Sequence, residues 1–330
     1  MHPARQVKFP SLPDQWTPVT TTKDLDRRRI LAVQLDGVPL VFFRDLNGAA
    51  CALIDQCPHR SVKLSAGKLT GEGQIQCPFH GWRYDGQGNC TFISLNPAAP
   101  LQSVHAFALP CQEAGGLLWV YTKADAPEVP PLCLPESLTS SRWVGTVTER
   151  EWSTHWSRAT QTMLDVAHIP YVHRRTIGFA FGRALGTAKQ PRLETALIEG
   201  AGGSFHLDWQ IQNDQGAPAD AGWLEFLPPN GLTLPIPTQS SDQQSLLHIW
   251  CVPIAQNRSR MIVVSRRNFG RFNPVLSLFN LLTPLILRED QRIMDTAFPS
   301  EVPPIGSEVF MPADAPTIAF CRYYQKHFLS

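Results

Sequence analysis

The sequence predicts an α+β protein in two parts: an all-β N-terminal domain over residues 1–125, then a second domain over 126–330 in which helices flank an antiparallel sheet. Three observations carry this reading. From Trp16 to Lys123, apolar or β-prone runs alternate with turn residues. The connector from Lys123 to Pro135 is proline-dense and has no periodicity. Beyond it, a helical spacing appears before the chain returns to strand-like runs.

In the first part, Ile30 to Leu35, Pro39 to Arg44 and Leu117 to Thr122 read as strands, punctuated by Asp36-Gly37, Asn47-Gly48, Gly86-Gln87-Gly88 and Gly115-Gly116. In the second, Trp156, Ala159, Met163, Val166 and Ala167 recur in steps of three and four, the mark of a helix with one buried face. Strands follow near Phe205 to Ile211, Trp223 to Leu227, Leu246 to Val252 and Arg260 to Val264. A last helix is expected from Asn273 as cap and Pro274 as first helical residue, through Leu276, Phe279, Leu282 and Leu287 toward Met294, bent at Pro284.

Charge and hydropathy exclude several classes of function. The 29 Lys and Arg balance the 28 Asp and Glu, and no run of like charge suggests a nucleic-acid arm. The apolar stretch from Leu276 to Leu287 is interrupted by Ser277, Asn280, Thr283 and Pro284, well short of the roughly 20 apolar residues of a membrane span. The start lacks the apolar segment of a secretory signal, so a soluble, cytoplasmic protein with neither nucleic-acid nor membrane partner is expected. Eight cysteines in 330 residues are too sparse for a disulfide scaffold; six read as packing residues and two stand beside histidines.

Those two carry the strongest motif. Cys57-Pro58-His59-Arg60 is followed, after the residues up to Gln76, by Cys77-Pro78-Phe79-His80-Gly81-Trp82, so two loops each offer one thiolate and one imidazole. A 2Fe-2S cluster takes four such ligands, and exchanging two thiolates for neutral imidazoles raises its potential. A tetrahedral zinc site would accept the same side chains, although zinc loops usually pair Cys with Cys and His with His. With Gly81, Trp82 and Tyr84 following, the pattern resembles the Rieske motif. That resemblance implies a 2Fe-2S cluster on Cys57, His59, Cys77 and His80.

A second group lies in Asp165-Val166-Ala167-His168-Ile169-Pro170-Tyr171-Val172-His173. Five residues along an ideal helix separate side chains by about 140°, so the two histidines can meet one ion only if the helix breaks, and Pro170 is the expected breaker. Asp165, one turn before His168, is placed to orient its imidazole. Two histidines and a carboxylate make the facial triad of non-haem iron(II) oxygenases. The best third member is Asp290 in Arg288-Glu289-Asp290-Gln291-Arg292, with Glu289 and Asp295 as competitors.

Together the two motifs resemble the oxygenase component of Rieske non-haem iron oxygenases, in particular the vanillate demethylase and pheophorbide oxygenase group. The resemblance implies mononuclear Fe(II) on His168, His173 and Asp290. It also implies that Asp165 bridges to a Rieske histidine of a neighbouring subunit in a head-to-tail homotrimer. Electrons are expected from a separate reductase or ferredoxin, since no dinucleotide fingerprint follows a strand. The implied reaction is O2-dependent monooxygenation, as hydroxylation or oxidative demethylation, of an aromatic or polycyclic small molecule. The alternative is an electron-transfer protein with a non-catalytic docking domain. Thr162 stands where many relatives carry Asn, and His248 reads either as a pocket residue or as a paired structural one.

Overall fold

The computed structural model describes residues 7–12, 14–96, 98–123, 128–178, 192–238, 240–271 and 282–329. The chain divides into two compact units, Met1–Leu134 and Pro135–Ser330.

The first unit is built from three antiparallel sheets. In one, Leu117–Tyr121 lies between Trp16–Thr21 and Cys111–Ala114; in the next, Ile30–Leu35, Val38–Arg44, Ala50–Ile54 and Ala108–Leu109 pair in that order. Leu40, Val41, Phe42 and Phe43 are all fully buried, which explains why that strand reads as a continuous apolar run. Leu35 pairs with Val38 across Asp36 and Gly37, both at positive φ, the two-residue turn that an Asp-Gly signal predicts. A seven-residue helix, α1 (Thr22–Arg28), interrupts the strands; the Thr21 hydroxyl caps it by accepting from Asp24 N–H. The third sheet is a meander of very short strands, Lys68–Leu69, Ile75–Gln76, Arg83–Tyr84 and Cys90–Phe92.

The second unit centres on a seven-stranded antiparallel sheet in the order Val144–Trp152, Arg258–Arg267, Ser245–Ala255, Gly231–Pro235, Pro218–Leu227, Phe205–Gln212, Arg192–Glu199. Phe205 and Leu207, Leu224 and Phe226, Ile249 and Cys251, Met261 and Val263 alternate onto one face, where they meet the helices α3 (Trp156–Leu164), α5 (Thr283–Met294) and α6 (Ala315–Tyr324). Two shorter helices, α2 (Glu136–Thr139) and α4 (Ile169–Val172), complete the described set. No helix among the described residues is long and apolar enough to cross a membrane.

Three expectations about the helices are revised. α3 ends at Leu164, so Val166 and Ala167 lie beyond it; Asp165 takes an extended backbone and its carboxylate accepts from Ala167 N–H at 2.7 Å, an alternative to the next helical rung. Its burial is also not confined to one face, because Arg158 and Gln161 are buried as well. Pro170 bends nothing, since it sits in the first turn of α4, where a missing N–H is tolerated; Pro284 also sits in the first described turn of α5, and the residues expected to precede it in one longer helix lie outside the described ones. The expected start of the last helix at Asn273 and Pro274 lies outside the described residues.

Candidate functional site

Cys57 and Cys77 are each 2 % exposed and stand on the core of the first unit beside Leu64, Ile75 and Tyr84, while His59 and His80 lie on its surface. The two turns that carry them are built alike. Cys57 N–H donates to Val62 O at 2.8 Å and Ser61 N–H to Cys57 O at 2.9 Å; Cys77 N–H donates to Trp82 O at 2.8 Å and Gly81 N–H to Cys77 O at 3.1 Å. In both, the fourth residue after the cysteine is left-handed, with φ of 58° at Ser61 and 71° at Gly81. The imidazoles of His59 and His80 approach to 4.6 Å between centroids, and Trp82 stacks on His59 at 4.3 Å.

Both thiols are free, and burial pushes that of Cys57 up. Thiolate there needs a nearby cation, as a metal centre supplies. The Tyr84 hydroxyl lies 3.4 Å from Cys57 Sγ. The donor set therefore suits a metal centre with its sulfur side in the core and its histidine side outward.

In the second unit, His168, His173 and Asp290 converge, with one donor atom of each lying within 4.8 Å of the others. The break between α3 and α4 brings His168 to the start of α4 and His173 to its end, and α5 delivers Asp290 against them. Gly178 is needed here, since a Cβ would come within 2.4 Å of Ile169 O and 2.8 Å of His173 O. Asp290 is 3 % exposed and His173 1 %. Asp290 Oδ1 lies 2.9 Å from His173 Nε2 and 3.4 Å from His168 Nε2, yet among the described residues it has no aligned hydrogen-bond partner. A buried carboxylate oxygen facing two imidazole nitrogens with no proton aligned to it suits a shared cation.

The electrostatics agree with this. Burial alone would raise the Asp290 carboxyl, but His168 and His173 outweigh it and hold it below the usual carboxylate range. Burial alone would lower His173, but Asp290 and then Glu289 outweigh it and raise the imidazole. Both groups thus sit where opposite charge is favoured.

A model of the Rieske [2Fe-2S] domain matches residues 15–107, and one of the vanillate O-demethylase oxygenase C-terminal domain matches residues 152–328, more than half of the chain. The chain belongs to the Rieske oxygenases. This family works with a 2Fe-2S cluster and a mononuclear iron, which removes zinc as a reading of the first motif. Among curated relatives, pheophorbide a oxygenase of Oryza sativa subsp. japonica is 30% identical over 79% of this chain and 50% of its own length. Methylxanthine N1-demethylase NdmA of Pseudomonas putida is 24% identical over 94% of this chain and 88% of its own. The chain spans about half the length of several curated relatives it matches, such as the chlorophyllide a oxygenase of Oryza sativa subsp. japonica, at 51%. The solved structure of NdmA superposes with a TM-score of 0.75 at 23% identity, covering 95% of this chain and 89% of that one. Dicamba monooxygenase bound to dicamba gives 0.74 at 20%, covering 96% and 97%.

In this Rieske oxygenase chain, Asp165 and His168 line a cavity of about 450 Å³, together with Arg158, Thr162, Asp290 and Glu308. Among the described residues His168 Nδ1 has no hydrogen-bond partner, and Asp165 Oδ2 is 3.8 Å from it. The Thr162 hydroxyl donates to Arg158 O at 2.9 Å and lies 2.7 Å from the Met294 sulfur. Asp295 terminates α5 and is not among the converging donors. Glu289 turns to the other nitrogen of His173, at 2.9 Å from Nδ1.

His248 does not line this cavity. It is 1 % exposed, with the Ser137 hydroxyl 2.9 Å from Nε2 and the Thr233 hydroxyl 2.9 Å from Nδ1. It is a paired core histidine. Sequence reasoning missed the buried network on the cavity wall, in which Arg158 donates to Gln161 at 2.6 Å and to Glu308 at 2.7 Å. An arginine inside the apolar spacing of Trp156, Ala159 and Met163 is the signal that could have found it, because a buried cation demands a partner.

Proposed function

We propose that this chain is the oxygenase component of a Rieske non-haem iron monooxygenase. In this reading, Cys57, His59, Cys77 and His80 hold the 2Fe-2S cluster, and His168, His173 and Asp290 hold mononuclear Fe(II). The reaction is hydroxylation or oxidative demethylation of an aromatic or polycyclic small molecule, with O2 as co-substrate and a separate reductase or ferredoxin as donor. The observation that carries it is the convergence of His168, His173 and Asp290, with an unpartnered Asp290 oxygen, in a chain whose other unit is a Rieske domain. Demethylation is favoured because NdmA, a demethylase, matches along nearly the whole of both chains.

When bound, the two metal groups supply single-electron storage and the activation of O2. The protein's own contribution is positional. Cys57 and Cys77 anchor in the core while His59 and His80 form the outward edge through which a redox partner is met. Asp290 offers a fixed negative charge to the triad, and the buried surroundings of His173 keep water from its ring. Asp165 stands on the cavity wall beside the unpartnered Nδ1 of His168. That opening supports a role as bridge to a Rieske histidine of a neighbouring protomer, and hence a head-to-tail homotrimer. We assign residues 1–125 to the Rieske domain and 126–330 to the catalytic domain. Two cysteines given to the cluster and six more outside any disulfide support a reducing compartment such as the cytoplasm.

Metal content and product chemistry test the reading together. Anaerobically reconstituted protein should hold about three irons per chain, two of them in a cluster with a Rieske-type electron paramagnetic resonance signal. Cells with the chain should accumulate a metabolite that has gained an oxygen or lost a methylene relative to cells without it. Two irons and no change in metabolites would instead make it an electron carrier.

A further inference from the structure

Glu289 and Asp290 are consecutive on α5, and they meet the two ends of one imidazole. Glu289 Oε2 lies 2.9 Å from His173 Nδ1, and Asp290 Oδ1 lies 2.9 Å from His173 Nε2. The distances are equal but the geometries are not. The Nδ1 contact satisfies hydrogen-bond alignment, whereas Asp290 Oδ1 is without a hydrogen-bond partner. Nδ1 is therefore aligned for a hydrogen bond with Glu289, whereas Nε2, though equally close to Asp290, is not.

The same Glu289 oxygen also accepts from the Thr176 hydroxyl at 2.7 Å, and Thr176 N–H donates to His173 O at 2.8 Å. Glu289 is thus tied to the turn that follows its own imidazole partner. Its side chain is 18 % exposed and that of His173 2 %, so the bond is largely shielded from competing water.

Resting on the triad reading above, we infer that Glu289 is a positioning residue for the mononuclear iron. By accepting the Nδ1 proton of His173 it fixes the tautomer in which Nε2 carries a free lone pair, and it fixes the plane of the ring. Histidine ligands work this way when a carboxylate or carbonyl takes their second N–H, and loss of such a partner weakens metal binding by roughly 10- to 100-fold. The adjacent acids of α5 divide the work: Asp290 faces the metal, and Glu289 faces away from it and holds a ligand. His168 is held differently, since among the described residues its Nδ1 has no hydrogen-bond partner and Asp165 stands 3.8 Å off.

Ferrous iron titration of the full chain, with the cluster intact and counted separately by its spectrum, tests this. Glu289→Ala should bind Fe(II) about 10- to 100-fold more weakly than wild type with an unchanged cluster signal. Glu289→Gln, whose amide oxygen can still accept from Nδ1–H, should recover most of that affinity, a rescue that a merely structural role does not require. Wild-type affinity in Glu289→Ala, or no recovery in Glu289→Gln, overturns the inference. Should Glu289→Ala fail to fold, Thr176→Val carries the test: it frees Glu289 without removing it, so weaker Fe(II) binding supports the role and unchanged binding overturns it. A wild type that takes up no iron beyond the cluster would strike down the triad reading itself, an outcome readily told apart from a variant that binds as well as wild type.

Discussion

The two donor groups of this chain are built in opposite ways. Cys57, His59, Cys77 and His80 fall within one short stretch, on two turns with the same hydrogen-bond pattern and the same left-handed residue four positions after the cysteine. His168 and His173 flank one short helix, but Asp290 arrives from a distant one, and Glu289 and Thr176 are needed to fix the ring between them. The first group has exposed imidazoles and buried sulfurs, whereas in the second His173 and Asp290 are almost entirely enclosed. A local site whose histidines face outward suits a centre that trades electrons with a partner. A non-local, enclosed site suits chemistry that must be kept from water. This contrast can be broken in order of severity.

The largest effect is expected at the sulfurs. Cys57→Ser or Cys77→Ser should abolish the cluster's visible absorption, because a cluster with one thiolate missing is under-coordinated. Fe(II) binding at the triad should persist, since its donors belong to the other unit. A variant that keeps its cluster spectrum would show that the motif was misassigned. Conversely, Asp290→Ala or His173→Ala should lose the third iron and all turnover while the cluster spectrum stays intact. If Asp290→Ala keeps that iron and Glu289→Ala or Asp295→Ala loses it, the carboxylate has been misidentified.

The same contrast explains what could be read from sequence. The cluster motif was legible because all four donors and their turns are local, and the Asp36-Gly37 hairpin was legible for the same reason. Four of the seven strands of the large sheet were also foreseen. One that was not, Arg192–Glu199, is an edge strand in which no residue is fully buried and only Leu193 and Leu197 reach the core, a short and weak alternation; the other edge, Val144–Trp152, buries only Trp152. The helix end at Asp165 was misread because helical spacing continues past it, while a side-chain bond to Ala167 N–H decides the matter locally. Arg158 and Glu308 pair across 150 residues, and no local pattern announces such a pair. Likewise, Glu289 and Asp290 differ in role only because His173 lies between them.

A smaller effect is expected where the two groups would communicate. Asp165→Asn keeps the size of the side chain but removes its charge, and with it the charge-assisted hydrogen bond that a bridge to a neighbouring Rieske histidine would make, a class of contact that contributes about 1.5 to 3 kcal/mol. Both metal centres should remain. In a single turnover with O2 and a substrate, clusters that wild type oxidises in step with product should stay largely reduced in the variant. Normal cluster oxidation would sink the bridging role, and loss of the mononuclear iron would assign Asp165 to local support of His168.

His248 provides the control of a buried histidine that is not a donor. Burial, with Arg266 nearby, pushes its pKa down to about 4, against about 6.5 in an unfolded chain. Between these values the unfolded chain takes up a proton that the folded one refuses. Stability from this group is therefore complete above pH 6.5 and is lost as pH falls toward 4. Comparing the thermal unfolding of wild type and His248→Gln from pH 7.5 to 4.5 isolates this term. Wild type should lose more of its melting temperature over that range, even though the variant starts lower at pH 7.5 for want of the two hydroxyl contacts. Parallel profiles would mean that His248 titrates freely.

The smallest expected effect lies at Tyr84, whose fully buried ring places its hydroxyl 3.4 Å from Cys57 Sγ. A cluster-bound sulfur is a thiolate and can only accept, so the hydroxyl must donate. Reduction adds negative charge to the cluster, and the donated bond therefore stabilises the reduced form more than the oxidised form. If that difference is about 1 kcal/mol, removing the hydroxyl shifts a one-electron potential by roughly 40 mV. Tyr84→Phe keeps the ring in the core and leaves only a weak sulfur acceptor unpaired, so stability should change little. Its midpoint potential should fall by a few tens of millivolts, while Fe(II) affinity at the triad stays at the wild-type value. A potential that is unchanged or higher would mean that the hydroxyl donates elsewhere and that the sulfur side of the cluster is tuned by backbone N–H groups alone.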